Sequence, residues 1–377
     1  MKILQISNYY YPHIGGIEQV ARDISCAVKG EGKDEIKVFC FNHVKNDTFE
    51  TVDGVEIVKA GTFKKIASQS LSFSYGKLLE ATFSDFKPDV VVFHYPNPFG
   101  ARYLLKILQH YPDCKLVLYW HLDITKQKIL RLLFKKQNIK LLEKAHKIIA
   151  TSPFYVMGSS YLSKYKEKCV AIPCCVAKDR VSLNEYSLKR ASDIKESANG
   201  KTICFACGRH VPYKGIEYLV RASKLLSDDY IIYIAGQGPL TDSLKKLASD
   251  DQKVIFIGKV SNEELKAYYV ASDIFCFPSI TKNEAFGISL AEGMNFGKPA
   301  VTFTIPESGV NFVSIGGLTG IEVENSNYVQ YAKAIEKLAN DKNLRESYGK
   351  RAKERVEELF TEEKFKQSIL SVVEELR

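Results

Sequence analysis

No stretch of this chain approaches the roughly 18 to 20 consecutive apolar residues of a bilayer-spanning helix. Its longest apolar runs are strand-sized, such as VVVF at 90–93. The opening MKILQIS lacks the apolar core and small-residue cleavage site of a signal peptide, so a cytoplasmic location is expected. Cysteine pairing is equally sparse. Nine cysteines are scattered along the chain, and Cys204 and Cys207 form a CxxC with no second pair at zinc-ribbon spacing. Side chains three residues apart on a strand fall on opposite faces, which argues against zinc or redox chemistry there. Low-complexity segments and short internal repeats are also missing. With 45% apolar and 26% charged residues, the composition is that of an ordinary globular protein. At about 150 residues per domain, 377 residues imply two domains.

Charge divides the chain. Residues 1–190 carry 29 Lys and Arg against 18 Asp and Glu, whereas the remainder carries 24 against 26. The densest part, 126–147, holds eight basic residues and one acid, Glu143, among Ile129, Leu130, Leu133, Leu141 and Leu142. Such a basic amphipathic helix suits an anionic membrane surface, through Lys126, Lys128, Arg131, Lys135 and Lys136, or packs its apolar stripe on its own domain. No nucleic-acid-binding motif accompanies the charge, so no nucleic-acid partner is expected.

Short β-branched or aromatic runs alternate with helix-length amphipathic segments, the pattern of parallel sheets with crossover helices. Strands are expected near 2–7, 36–41, 55–59, 89–94, 115–120, 147–150 and 169–172, with helices at about 16–29, 70–85, 99–110 and 126–144. A polar stretch from Lys178 to Lys201 is expected to be a linker. The alternation then restarts, with strands near 202–207, 230–235, 254–257, 274–277 and 299–303, and a charged helical tail from about 327. The expected architecture is α/β, two doubly wound Rossmann-like domains over 1–180 and 200–358, with 359–377 packing back on the first. Ligands of such sheets bind at the strand C-terminal ends, so an interdomain site is expected.

Three segments carry the chemistry. In SNYYYPHIGGIEQV, Gly15 and Gly16 precede a helix, where backbone amides can approach an anion or simply form a tight turn. It is neither a GxGxxG fingerprint nor a P-loop. In CFACGRHVPYKGIEYLV, Arg209 and Lys214 follow a strand end and suit a diphosphate, Arg bidentately and Lys as a point charge, unless both are solvated surface cations. In SITKNEAFGISLAEGMNFGKPAV, Glu284 and Glu292 are eight residues apart, roughly 12 Å along a helix, too far for a glycosidase pair. That spacing fits two separate hydroxyl-binding carboxylates on one extended ligand, or two unrelated surface glutamates.

GRHVPYKG followed by EAFGISLAEGMNFGKPAV, with GGIEQV and HLDITKQK ahead of them, resembles the family 4 retaining glycosyltransferases of the GT-B fold, from Gly15 to about Gly320. The resemblance implies that Arg209 and Lys214 bind the sugar-nucleotide diphosphate and Glu292 the ribose hydroxyls. It implies that Glu284, with Phe286, Gly287 and Ile288, holds the donor sugar, and that Gly15 and Gly16 close over the phosphates. His121 matches the family histidine beside the transferred sugar, while Asp123 departs from the usual His-Asp adjacency. The turn Gly258 to Val260 is expected at the base. The resemblance further implies transfer with retention by front-face attack, without cofactor or metal; no Asp-x-Asp motif lies near these residues. HYPNPFG and ATSPFY add a likeness to bacterial O-antigen, capsule and exopolysaccharide enzymes, many of them mannosyltransferases. This favours GDP-mannose over a UDP-hexose or UDP-N-acetylhexosamine, and a lipid-linked or growing polysaccharide acceptor at the inner face of the plasma membrane. The contrasting possibilities are a nucleotide-sugar epimerase and a non-catalytic partner of another transferase.

Overall fold

A computed structural model describes residues 1–13, 15–66, 69–124 and 128–377, with the side chains of 128–133 outside that description. Two compact units are present, Met1–Cys174 with Glu363–Arg377, and Cys175–Glu362.

Unit 1 contains strands β1 (Lys2–Ile6), β2 (Glu35–Phe41), β3 (Thr48–Val52), β4 (Val55–Ala60), β5 (Lys64–Ile66), β6 (Gln69–Leu71), β7 (Val90–Tyr95), β8 (Lys115–Trp120), β9 (Lys147–Ala150) and β10 (Cys169–Ala171). Eight of them form one sheet in the order β10-β9-β8-β7-β1-β2-β4-β3, parallel except for β3 at the edge. β7 reads VVVFHY and is buried at every position, as a strand covered on both faces must be. The separate hairpin β5–β6 occupies the start of the helix expected at 70–85, which instead begins at Tyr75. Two three-residue strands are too short for an apolar and polar alternation to reveal them.

Unit 2 contains β11 (Thr202–Cys207), β12 (Tyr230–Ala235), β13 (Val254–Gly258), β14 (Ile274–Phe277), β15 (Ala300–Phe303) and β16 (Gly320–Val323), all parallel, in the order β13-β12-β11-β14-β15-β16. The expected linker is no linker. Residues Glu185–Ser197 form a helix with an Asn184 capping box, burying Ala191 and Ile194 against the helix Asn262–Ala271. Its apolar face is carried by small residues, so the segment looks featureless in sequence. The unit boundary falls at 174/175 rather than at 180, and the tail joins unit 1 from Glu363. There Arg377 donates to both carboxylate oxygens of Asp34 at 2.8 Å, and Lys115 Nζ donates to the Leu376 carbonyl at 2.5 Å.

Among the described residues no helix is long and apolar enough to cross a membrane.

Candidate functional site

In unit 2, strand order reverses about β11, whose neighbours are β12 and β14. Such a switch point opens a crevice at the strand C-terminal ends. The loop after β11 carries Arg209 and Lys214, and the loop after β14 carries Glu284. Two features fasten these loops together. Ile280 donates its amide to the Tyr213 carbonyl at 3.0 Å. Gly215, at φ +60°, lies where a Cβ would run into the Pro278 carbonyl oxygen, so only glycine fits.

The consequence is an ion pair between two residues that sequence reasoning treated separately. Lys214 Nζ lies 2.5 Å from Glu284 Oε2, with about an eighth of each side chain exposed. Burial pulls the Lys214 ammonium down, but the charges of Glu284 and Tyr213 outweigh it and hold its pKa above the usual lysine value. Ser279 Oγ donates to the same Glu284 oxygen at 3.1 Å, and Ser308 Oγ clamps the Glu284 carbonyl at 2.6 Å. Arg209 is exposed; its carbonyl accepts from the Val211 amide at 2.8 Å, while its side chain makes no hydrogen bond or ion pair among the described residues. It is a cation without a resident counter-charge.

Glu292 belongs to the helix Ile288–Asn295, started by Gly287 at φ +92° against the Phe277 ring. Glu284 sits outside that helix, in the preceding turn, so helical rise does not set the separation of the two glutamates. The Glu292 carboxylate is buried, accepts from the Tyr269 hydroxyl at 3.2 Å, and lies 3.6 Å from Arg180 Nε. Arg180 also donates to the Cys175 carbonyl at 2.6 Å. Neither partner was anticipated: Arg180 hides in the polar stretch taken for a linker, and Tyr269 in an ordinary helix pattern. Phe286 is buried edge-on to Phe360, with ring centroids 5.3 Å apart, and Ile288 is half-buried. Gly258, at φ +71°, ends edge strand β13, accepts from the Gly236 amide at 2.7 Å, and is followed by half-buried Val260.

In unit 1, His121 follows β8 and is buried, its Nε2 2.8 Å from Nδ1 of His94 on β7. Burial pushes the His94 pKa down to about 3; burial and then the neighbouring His94 hold His121 well below the usual histidine range. Both rings are neutral at pH 7. His94 Nε2 has no partner among the described residues. A bare lone pair there costs less than an orphaned N–H, so His94 donates from Nδ1 and His121 carries its proton on Nδ1. His94 opens the HYPNPFG segment, but nothing in the sequence gave it a role or paired it with His121.

Asp123 has a structural task instead. It accepts from Trp120 Nε1 at 2.8 Å and faces the Ser159 hydroxyl at 2.9 and 3.0 Å, while the Tyr155 hydroxyl accepts from its amide at 2.6 Å. Gly15 caps the helix Gly16–Lys29 in extended backbone that any residue adopts. A Cβ on it would meet the Glu18 carboxylate, so this helix N-terminus already faces an anion of its own. Lys135 and Lys136 are exposed on the helix Lys128–Lys144; Lys126 and the side chains of Lys128 and Arg131 lie outside the described residues. No group of three or more potential metal-ligating side chains occurs among the described residues.

A family model for glycosyltransferase family 4 matches residues 14–180, and one for glycosyl transferases group 1 matches 189–355. A D-rhamnosyltransferase of Pseudomonas aeruginosa is 30% identical over 364 residues, covering 96% of this chain and 92% of its own. The chain belongs to the family 4 glycosyltransferases. An O-antigen chain mannosyltransferase of Escherichia coli is 29% identical to this glycosyltransferase over 366 residues, covering 96% of this chain and 95% of its own. Among solved structures, a sucrose-phosphate synthase of Thermosynechococcus elongatus superposes with TM-score 0.83 at 20% identity, over 100% of this chain and 98% of that one. Anabaena HepE in complex with UDP superposes with TM-score 0.78 at 16% identity over the full length of both. The fold of this glycosyltransferase is accordingly GT-B, built from two Rossmann-like domains.

Proposed function

We propose that this glycosyltransferase moves a hexose, with retention, from a nucleotide sugar to a lipid-linked or growing polysaccharide acceptor in bacterial surface-glycan synthesis. GDP-mannose is the donor of first choice, and a UDP-hexose or UDP-N-acetylhexosamine the alternative. The observation that carries this reading is the end-to-end likeness to enzymes named as O-antigen mannosyl- and D-rhamnosyltransferases.

Lys214 and Arg209 are assigned to the diphosphate, Glu284 with Phe286, Gly287 and Ile288 to the sugar, Glu292 to the ribose and the Gly258–Val260 turn to the base. His121, Gly15 and Gly16 keep the roles the resemblance implies, with His121 offering a neutral N–H. Glu284 is paired with Lys214. Phosphate oxygens arriving at Lys214 release the Glu284 carboxylate to accept from sugar hydroxyls. The acceptor oxygen then bonds to the anomeric carbon on the face the phosphate leaves. The breaking C–O bond gives its electron pair to the nucleoside diphosphate, and the acceptor proton passes to a phosphate oxygen. Arg209 and Lys214 supply the electrostatic stabilisation, so no metal or cofactor enters.

Thermal shift and donor hydrolysis with GDP-mannose, UDP-glucose, UDP-galactose, UDP-N-acetylglucosamine and free nucleotides test this. A response confined to GDP and GDP-mannose supports the mannosyl reading. A UDP-selective response overturns the donor, and no response to any of them overturns the donor site. Hydrolysis that persists unchanged in EDTA supports the metal-free assignment.

A further inference from the structure

The strand pair β5–β6 and the residues flanking it leave apolar side chains in solvent. Phe73 is 86% exposed, Ile66 51% and Phe63 41%. The Phe63 and Phe73 rings stack on each other, with centroids 4.0 Å apart and planes within 8°. Lys64 and Lys65 are exposed beside them. From Ile57 to Leu79 the chain has four lysines and no acidic residue. Lys59 is paired with Glu50, and Asp47 accepts from the Gly61 amide and the Ser74 hydroxyl, so the positive charge at the rings is that of Lys64 and Lys65. Adjacent aromatic rings held in water beside cations form a contiguous patch rather than scattered surface apolar residues, and such patches mark interaction sites.

The patch is anchored and has a direction. Thr62 donates its amide to the Val44 carbonyl at 2.8 Å, Tyr9 and Ser70 share a hydroxyl hydrogen bond of 2.5 Å, and Lys65 Nζ lies 4.6 Å above the Tyr9 ring. The hairpin follows the C-terminal end of β4, which runs parallel to β2, β1, β7 and β8. It therefore stands on the end of the unit 1 sheet from which His121 emerges.

We propose that this hairpin docks unit 1 on an anionic lipid surface, Phe63, Ile66 and Phe73 entering the headgroup boundary while Lys64 and Lys65 meet lipid phosphates. The occupant follows from charge complementarity: a local excess of lysine around an apolar patch is what attracts and then holds a surface of anionic headgroups. The inference rests on the lipid-linked acceptor proposed above, because docking by this edge presents the acceptor headgroup to the His121 end of the sheet. It adds a contact separate from the basic helix Lys128–Lys144.

The test is flotation of the full chain with vesicles of mixed phosphatidylglycerol and phosphatidylethanolamine, against phosphatidylcholine alone. Wild type is expected to float with the anionic vesicles only. Lys64→Gln with Lys65→Gln should weaken partitioning about 30-fold, from two headgroup attractions. Phe73→Ser should weaken it at least about tenfold, the burial of one phenyl ring. Nucleotide-induced thermal shifts should be unchanged in every variant, which excludes misfolding as the cause. Equal flotation of variants and wild type overturns the proposal. So does a Phe73→Ser variant that turns a dimer into a monomer while wild type ignores anionic vesicles, for then the patch joins two copies. Glycosylation of a lipid-linked acceptor without hairpin-dependent flotation removes the hairpin and leaves the acceptor reading standing. Flotation as expected with only soluble acceptors used keeps the hairpin and removes that reading.

Discussion

Acid should destabilise unit 1 through the His94–His121 pair, and the size of the effect follows from burial. Unfolded histidine titrates near 6.5, whereas folded His94 is held at about 3 and His121 also lies far below its ordinary value. A lowered histidine pKa means that the unfolded chain binds the proton first. Stability is therefore whole above about pH 6.5 and is lost as pH falls towards the folded value. At pH 5 each unfolded imidazole gains about 2 kcal/mol from protonation while the folded ring stays neutral, so the pair together costs about 4 kcal/mol. That is a large part of the 5 to 15 kcal/mol typical of a domain. The chain has one tryptophan, Trp120, which is buried in unit 1 with its ring 3.7 Å from Tyr95, so its emission reports on that unit. Urea unfolding followed at this tryptophan at pH 7 and pH 5, in wild type and in a His94→Gln/His121→Gln variant, isolates the pair. His43 and His146, also lowered by burial, remain in both chains and cancel. Wild type should lose about 4 kcal/mol more than the double variant between the two pH values. Equal losses would refute the claim that these rings are neutral and desolvated.

Three further outcomes follow from the contacts. Lys214→Met, and separately Glu284→Gln, should lower kcat/KM for the sugar donor by about 10²- to 10³-fold, the usual scale for a removed transition-state stabiliser; steady-state kinetics reads this. Tyr269→Phe removes the hydroxyl that donates to Glu292 and should weaken nucleotide affinity by about fivefold, a net hydrogen bond of roughly 1 kcal/mol. Titration calorimetry with free nucleotide checks it, and an unchanged affinity would separate Glu292 from the ribose. Ser159→Ala strips Asp123 of a buried donor and should destabilise unit 1 by about 1.5 to 3 kcal/mol, measured at Trp120, without changing donor binding.

Much of the fold is legible because its strands are near-continuous apolar runs. VVVFHY, KLVLYW and TICFAC need no partner to declare themselves, and their alternation with amphipathic helices dictates a doubly wound arrangement. Elements whose stability comes from neighbours are not legible. The helix Glu185–Ser197 turns only Ala191, Ile194 and a serine inward, and β16 exists as the sixth strand because β15 is there to pair with it. The short hairpin β5–β6 is likewise defined by its pairing and its hydrogen bond to Tyr9 rather than by a pattern of its own.

The candidate site divides along the same line. Sequence alone determined that Arg209, Lys214, Glu284 and His121 stand in the segments that follow strands and that Glu292 lies within the next helix, because glycines and strand periodicity mark those positions locally. Only the tertiary structure decided who meets whom. Lys214 is joined to Glu284, Glu292 to Tyr269 and Arg180, and His121 to His94. Each of these pairs spans 23 or more residues of chain, and its geometry is set by which strands lie side by side. Side-chain chemistry is written one residue at a time, whereas charge, protonation and tautomer belong to the pair, and pairs form only when the sheets do.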